Sequence, residues 1–314
     1  MSNLSVRVLV AIVGIPLITA LVLAGGFAFY GFILLVSILG LGEFYNLARA
    51  KGAHPQTASG VIVGIAITTS FIYDRLRDGV VGWLNAMGIA VPAPTMPQVL
   101  LIVVVCSIPL LLAVELFRNK GSALTNLGLT LLGPMYVSLF LGTLVGLREL
   151  FTPEHFPLFR HFTSAGAGAR EEVLRTLDWW GAMTVLSVFV TIWACDSAAY
   201  FAGRALGRRK LLERVSPGKT IEGAVAGFAA AAGVFLLARA TVVPYLSLAD
   251  ALVCGGIVGI FGQLGDLAES LLKRDAGIKD SSTLIPGHGG VLDRFDSLMF
   301  VSPLIYLYID FVVF

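Results

Sequence analysis

The stretch that decides the fold runs from Val8 to Leu47: VLVAIVGIPLITALVLAGGFAFYGFILLVSILGLGEFYNL. Residues 8–42 carry no charged side chain, and Glu43 is the one charged residue in the stretch. A bilayer core about 30 Å thick needs about 20 apolar residues per helix. Two such runs fit here, Val8–Ala24 and Phe27–Leu47, parted only by Gly25 and Gly26. Arg7 before the first run and Ala24-Gly25-Gly26 behind it loosely resemble a cleaved leader. The second run follows so closely that the pair reads instead as a helical hairpin.

Outward from this hairpin the same signal recurs. Further apolar runs cover Ser59–Tyr73, Val99–Phe117, Leu124–Leu147, Trp180–Phe201, Gly223–Val242, Leu248–Leu272 and Leu298–Phe314. The expectation is an all-α, polytopic integral membrane protein with about nine transmembrane helices. Gly79–Gln98 is also apolar, but Pro92, Pro94 and Pro97 make it an interfacial stretch and not a crossing. Composition agrees. Of 314 residues, 57% are hydrophobic and 13% charged, against about 25% charged in an ordinary soluble domain. Soluble globular and disordered classes are excluded. A net charge of +2 leaves no nucleic-acid footprint. Cys106, Cys195 and Cys254 lie in apolar runs without CxxC spacing, so neither a disulfide framework nor a zinc site is indicated.

With nine crossings, 15 of the 22 basic residues fall on the side that holds the N-terminus. By the positive-inside rule that side is cytoplasmic. The chain divides into about five N-terminal spans (1–150), an external loop (151–178) and a C-terminal membrane region with longer cytoplasmic loops (179–314). From Trp179 onward ionisable residues enter the spans and the cytoplasmic loops lengthen, and the chemistry is expected there.

Its densest polar segment begins at Gly265. Asp266, Ser270 and Lys273 stand at i, i+4 and i+7 and share a helix face, with Glu269 beside them. A carboxylate at the end of a span is costly unless paired or bound to a cation; a solvated helix end is the plainer reading. Lys279-Asp280 follows, then a Gly-rich turn through Gly287, His288, Gly289 and Gly290, then Asp293-Arg294-Phe295-Asp296. Asp293 and Asp296 suit a helix start as simple caps. Among lysines and arginines and beside a turn able to offer N–H groups to an anion, they also suit Mg²⁺ shared with phosphates.

A second segment joins Asp196 to Gly223. Its Gly218-Lys219-Thr220 is not a P-loop, because Glu213 stands where that motif needs glycine. It remains a basic loop whose Lys219 and Thr220 can meet phosphate oxygens at a helix start. Arg208, Arg209 and Lys210 read as positive-inside anchors. Arg204 is a candidate partner for Asp196, and Arg118 for Glu115 at i, i+3. Glu43 has no assigned role.

The run Ser270-x₂-Lys273-Arg274-x₄-Lys279-Asp280-x₅-Pro286-x-His288-Gly289-Gly290-x₂-Asp293-Arg294-x-Asp296 resembles the signature of the phosphatidate cytidylyltransferases, or CDP-diacylglycerol synthases. The Asp196–Gly223 segment is similar to that family too. The resemblance is detailed over roughly the last 120 residues and general elsewhere. It implies CMP transfer from CTP to phosphatidic acid on the cytoplasmic face of the cell (inner or plasma) membrane, in phospholipid biosynthesis. It implies Mg²⁺, allows a monovalent cation such as K⁺ beside it, and implies a homodimer among membrane lipids. The family's metal aspartates map onto Asp266 and Asp293. Its other polar site residues map onto Ser270, Lys273, Arg274, His288, Arg294 and Asp296, with Lys279, Gly289 and Gly290 in the same run. Competing readings are a cytidylyltransferase or kinase for another lipid phosphate or a polyprenol, and a cation-coupled transporter. The transporter predicts repeated halves with matching broken helices, which the sequence lacks.

Overall fold

The computed structural model describes residues 3–89, 93–152, 167–285, 287 and 289–314. Twelve α-helices make up most of it: α1 (Asn3–Ala24), α2 (Gly26–Ala50), α3 (Thr57–Ser70), α4 (Tyr73–Ala86), α5 (Met96–Leu116), α6 (Ala123–Gly133), α7 (Phe140–Glu149), α8 (Ala167–Leu206), α9 (Ile221–Thr241), α10 (Leu248–Ile257), α11 (Gln263–Asp275) and α12 (Leu292–Tyr308). Short π-helical turns join α6 to α7 at Pro134–Leu139 and α10 to α11 at Val258–Gly262, and another extends α12 over Ile309–Val313. Each wide turn shifts the helix face at a point where the span must continue in a new register.

The helical membrane class holds, with changes in detail. Among the described residues, seven helices are long and apolar enough to cross a membrane, and an eighth crossing results if α3 and α4 count as one span bent by 77°. The expected nine is therefore not reached by length and composition; the first span contributes the shorter apolar helix Val10–Ala24. The proline-containing stretch before α5 is partly helical, because α4 covers Tyr73–Ala86 and buries none of its side chains. The expected external loop is shorter than 151–178, since α8 already begins at Ala167; residues 153–166 of that loop lie outside the described residues. Among the described residues the helical class is broken by a small antiparallel hairpin of β1 (Lys210–Leu212) and β2 (Ser216–Thr220) between α8 and α9, and by an isolated antiparallel bridge between Ile285 and Gly289.

Two sets of helix ends gather at opposite ends of the bundle. In one, Arg148 near the end of α7 bonds the Val22 carbonyl of α1 and Asp178 of α8, and Glu149 bonds the Gly26 amide and Arg75. The other holds the ends of α2 and α11 and the starts of α9 and α12. The Glu115–Arg118 pair expected from the sequence forms at 2.8 Å, and Gln56 and Asn126 also donate to Glu115.

Lipid is as apolar as a leucine side chain, so helices in a membrane gain little from hydrophobicity alone and rely on close packing at small residues. A Cβ on Gly227 would lie 3.0 Å from the Cys195 carbonyl, and one on Gly255 2.7 Å from Ala232 Cα. At Gly265 the contact is tightest where it matters: a Cβ would lie 2.5 Å from the Asp296 carbonyl and 3.1 Å from Ser297 Cα. This α11–α12 crossing brings the two halves of the polar signature together. Gly265→Ala should therefore destabilise the protein by about 1–3 kcal/mol. Gly233→Ala, where a Cβ meets nothing within 4 Å, should change stability by less than about 0.5 kcal/mol. Denaturant unfolding in detergent measures both; equal stability of the two variants would contradict the crossing.

Candidate active site

A cavity of about 1190 Å³ runs between α1, α2, α8, α11 and α12. It exceeds the roughly 300–1,000 Å³ of common small-molecule sites. Mid-span residues such as Ile15, Ile18, Phe32, Leu39, Phe189 and Trp193 make its apolar wall. Its polar wall comes from helix ends and the hairpin: Asp196, Lys219, Asp266, Lys273, Asp293, Arg294 and Asp296.

Local structure explains how Lys219 reaches this wall. Thr220 is the N-cap of α9, its side chain accepting from the Gly223 amide at 3.1 Å. Glu222 in the first turn accepts from the Arg208 and Arg209 amides at 3.0 and 3.3 Å, and Lys210 donates to the Pro217 carbonyl at 2.7 Å. The hairpin is thus tied to both helices it connects. Lys219 then pairs with Asp266 Oδ2 at 2.7 Å, while Ser270 donates to Oδ1 at 3.4 Å. The hydroxyl of Thr220 serves as a cap, which accounts for its place in the sequence without a substrate contact.

Lys273 belongs to a second cluster. The one stripe expected from Asp266, Ser270 and Lys273 divides, because Lys273 Nζ lies 2.5 Å from Glu269 Oε2 and 2.5 Å from Asp293 Oδ1. Asp293 Oδ2 accepts from the Ser281 amide (2.9 Å), the Ser281 hydroxyl (2.9 Å) and the Gly290 amide (2.7 Å). Gly289 at φ +83° lets the turn close over this carboxylate, where a Cβ would lie 2.6 Å from Asp293 Oδ2. The turn was expected to offer N–H groups to a bound anion. Its Gly290 amide instead serves a carboxylate of the chain itself.

Several other expected residues fall differently. Arg274 and Lys279 are exposed and do not line the cavity. Arg204 does not pair with Asp196; it donates to the Tyr200 hydroxyl at 3.3 Å, and Asp196 faces the cavity. Arg294 and Asp296 line the cavity, and Asp296 also accepts from the Ser297 amide at 2.7 Å. His288 lies outside the described residues.

Sequence reasoning missed Ser281, Ser282 and the role of Glu43. Glu43 Oε1 accepts from the Ser282 hydroxyl (2.6 Å) and the Val291 amide (2.9 Å). Oε2 accepts from the Leu292 amide (2.9 Å) and lies 2.8 Å from the Ser281 hydroxyl, whose single proton it shares with Asp293 Oδ2. The available signal was a lone carboxylate inside an otherwise uncharged span, which must find donors within the protein.

The Lys273 cluster yields a stability prediction. Glu269 and Asp293 side chains are 1% and 4% exposed, and Lys273 12%. Removing the shared cation leaves two buried carboxylates uncompensated, so Lys273→Met should cost about 3–5 kcal/mol. Lys51→Met breaks an exposed pair with Asp275 and should cost under about 1 kcal/mol. Comparable unfolding midpoints for the two variants would contradict a buried triad.

Comparison with known proteins adds an independent finding. The cytidylyltransferase family profile matches residues 5–312. The chain is 33% identical over 309 residues to a Synechocystis protein named phosphatidate cytidylyltransferase, covering 96% of this chain and 95% of that relative. Proteins of the same name from Bacillus subtilis and Haemophilus influenzae are 46% and 44% identical over 136 and 137 residues. Those two alignments each cover 42% of this chain and 49% and 48% of the respective relative.

Proposed function

The chain belongs to the cytidylyltransferase family, and we propose that it transfers CMP from CTP to phosphatidate, giving CDP-diacylglycerol and pyrophosphate. The observation that carries this reading is the cavity itself: an apolar wall of mid-span side chains meeting a wall of Asp196, Lys219, Asp266, Arg294 and Asp296. A lipid with a phosphate headgroup needs both surfaces at once.

In the reaction a phosphatidate oxygen forms a bond to the α-phosphorus of CTP. The bond from that phosphorus to the bridging oxygen breaks, and pyrophosphate leaves with the electron pair. The nucleophile already carries about −1.5 to −2 charge at pH 7, so it needs little from a general base. The obstacle is repulsion between two polyanions, and the remedy is cationic charge and in-line placement. Lys219 and Arg294 face the cavity and supply that charge. Lys273 is already held by two carboxylates, so its role is to fix Asp293 and α11 against α12.

The donor set suits Mg²⁺ only as a partner of substrate. Among the described residues, no three His, Cys, Asp or Glu side chains lie close enough together to hold a metal. Mg²⁺ commonly takes one or two carboxylates and completes its shell with water and substrate phosphate. Asp266 would hold it, since its other contacts are the exchangeable Lys219 and a long bond to Ser270. Asp293 would join only after giving up Lys273 and its three other donors. Mg²⁺ there supplies charge neutralisation on the phosphates. Lys219, released from Asp266, would bind a phosphate oxygen.

The proposal includes a homodimer in the cell membrane with the N-terminus and the active site cytoplasmic, resting on the family resemblance and the basic-residue asymmetry. Thiol labelling of Lys279→Cys from outside sealed cells would overturn that orientation. The activity is tested by CMP transfer from labelled CTP to phosphatidate in detergent. Asp266→Asn should lower kcat/KM at least about 100-fold, or about 2.7 kcal/mol. Lys219→Ala should lower it at least about 10-fold and Arg209→Ala hardly at all. No transfer by the unmodified protein, or equal small effects of all three substitutions, would contradict the assignment.

A further inference from the structure

Glu43 is the residue that the family reading leaves without a task. It lies in α2, far in sequence from the Gly-rich turn, yet it is 5% exposed and accepts four hydrogen bonds from that turn's two ends. Two donors are hydroxyls of Ser281 and Ser282, where the chain leaves α11 and enters the turn. Two are the Val291 and Leu292 amides, where the turn enters α12. Free amides at a helix start favour an anion, and here a carboxylate from another span fills that place.

The packing leaves no slack. A Cβ on Gly290 would collide with the Ser281 hydroxyl and the Glu43 carboxylate, and one on Gly40, one turn before Glu43, would lie 3.0 Å from Val137 and 3.4 Å from Leu292. Ser281 Oγ lies 2.8 Å from Glu43 and 2.9 Å from Asp293. The chain of contact therefore runs from Glu43 through Ser281 to Asp293 and on to Lys273. Arg294 and Asp296, which line the cavity, emerge from the helix turn whose first amide Glu43 holds.

We propose that Glu43 is a positioning residue: its carboxylate clamps both ends of the Gly-rich turn and so fixes where α12 presents Arg294 and Asp296 to the substrates. It acts through the turn and touches no reacting atom. The role requires four acceptor positions. In Glu43→Gln the amide nitrogen has the size of the lost oxygen but points an N–H at a backbone N–H, so one of the two bonds to the start of α12 is lost and the clamp loosens there. This inference rests on the cytidylyltransferase reading for its catalytic consequence, but not for the clamp itself.

The test compares Glu43→Gln with Glu115→Gln, which alters another buried carboxylate with three side-chain donors, away from the cavity. For protein eluting as native in detergent, Glu43→Gln should lower kcat about 10- to 100-fold, with the KM for CTP changed less than about 3-fold. Glu115→Gln should lower the thermal midpoint and leave kcat of the folded protein unchanged. Hydrogen exchange should quicken at one of the Val291 and Leu292 amides in Glu43→Gln only. An unaltered kcat, or an equal loss in both variants, would overturn the positioning role. Unchanged exchange at these amides would overturn the clamp even if the unmodified protein transferred no CMP, an outcome that would sink the proposed activity separately.

Discussion

A carboxylate buried within a membrane protein has no water to turn to and must be met by donors of the chain itself. Three such groups, Glu43, Glu269 and Asp293, converge where α2, α11 and α12 meet. Lys273 holds two of them and the Ser281 hydroxyl stands between the other pairing, Glu43 and Asp293. Lys273 of α11 reaches Asp293 of α12, and Ser281 and the Val291 and Leu292 amides reach Glu43 of α2, so none of the three helices can shift alone. The close crossing at Gly265 has the same effect on the backbone: α11 and α12 approach so nearly that a methyl group would not fit between them.

This rigid junction supports a second, looser set of charges facing the cavity. Lys219 and Asp266 hold one another across the gap between the hairpin and α11, with side chains 25% and 35% exposed. That exposure separates them from the Lys273 triad in function. A pair within reach of solvent can exchange partners at low cost; the Lys273 triad, at most 12% exposed although Lys273 and Asp293 reach the cavity wall, exchanges only at a large penalty. The apolar wall from α1, α2 and α8 is the surface the proposed reaction needs for acyl chains beside a charged headgroup site.

Much of this was legible in the sequence, for identifiable reasons. Membrane spans follow from apolar length, and the polar signature stood out because ionisable residues are rare elsewhere. The Glu115–Arg118 pair was readable because helical spacing places i and i+3 together. Three features were not readable. The partners of Glu43 lie at Ser281–Leu292, and no local pattern encodes so distant a contact. The β1–β2 hairpin is too short and too polar to show strand alternation. The cation of Asp266 came from Lys219 instead of from Lys273 one helical stripe away, because Glu269 stands at i, i+4 to Lys273 and Asp293 returns to it from the next helix. The Gly-rich turn was read as a cradle for a bound anion; its Gly290 amide and the Val291 and Leu292 amides beyond it serve carboxylates of the protein itself.

The central claim is that Lys219 and Asp266 guard the site of phosphate chemistry and exchange partners on binding. The most direct measurement is anomalous diffraction from crystals soaked with Mn²⁺ and CTP, Mn²⁺ being a ready substitute at oxygen-ligand sites. The account predicts a peak about 2.0–2.3 Å from an Asp266 carboxylate oxygen, with Lys219 turned from Asp266 to a phosphate. A structure with CTP bound in which Lys219 still pairs with Asp266 and no metal lies beside that carboxylate would contradict it.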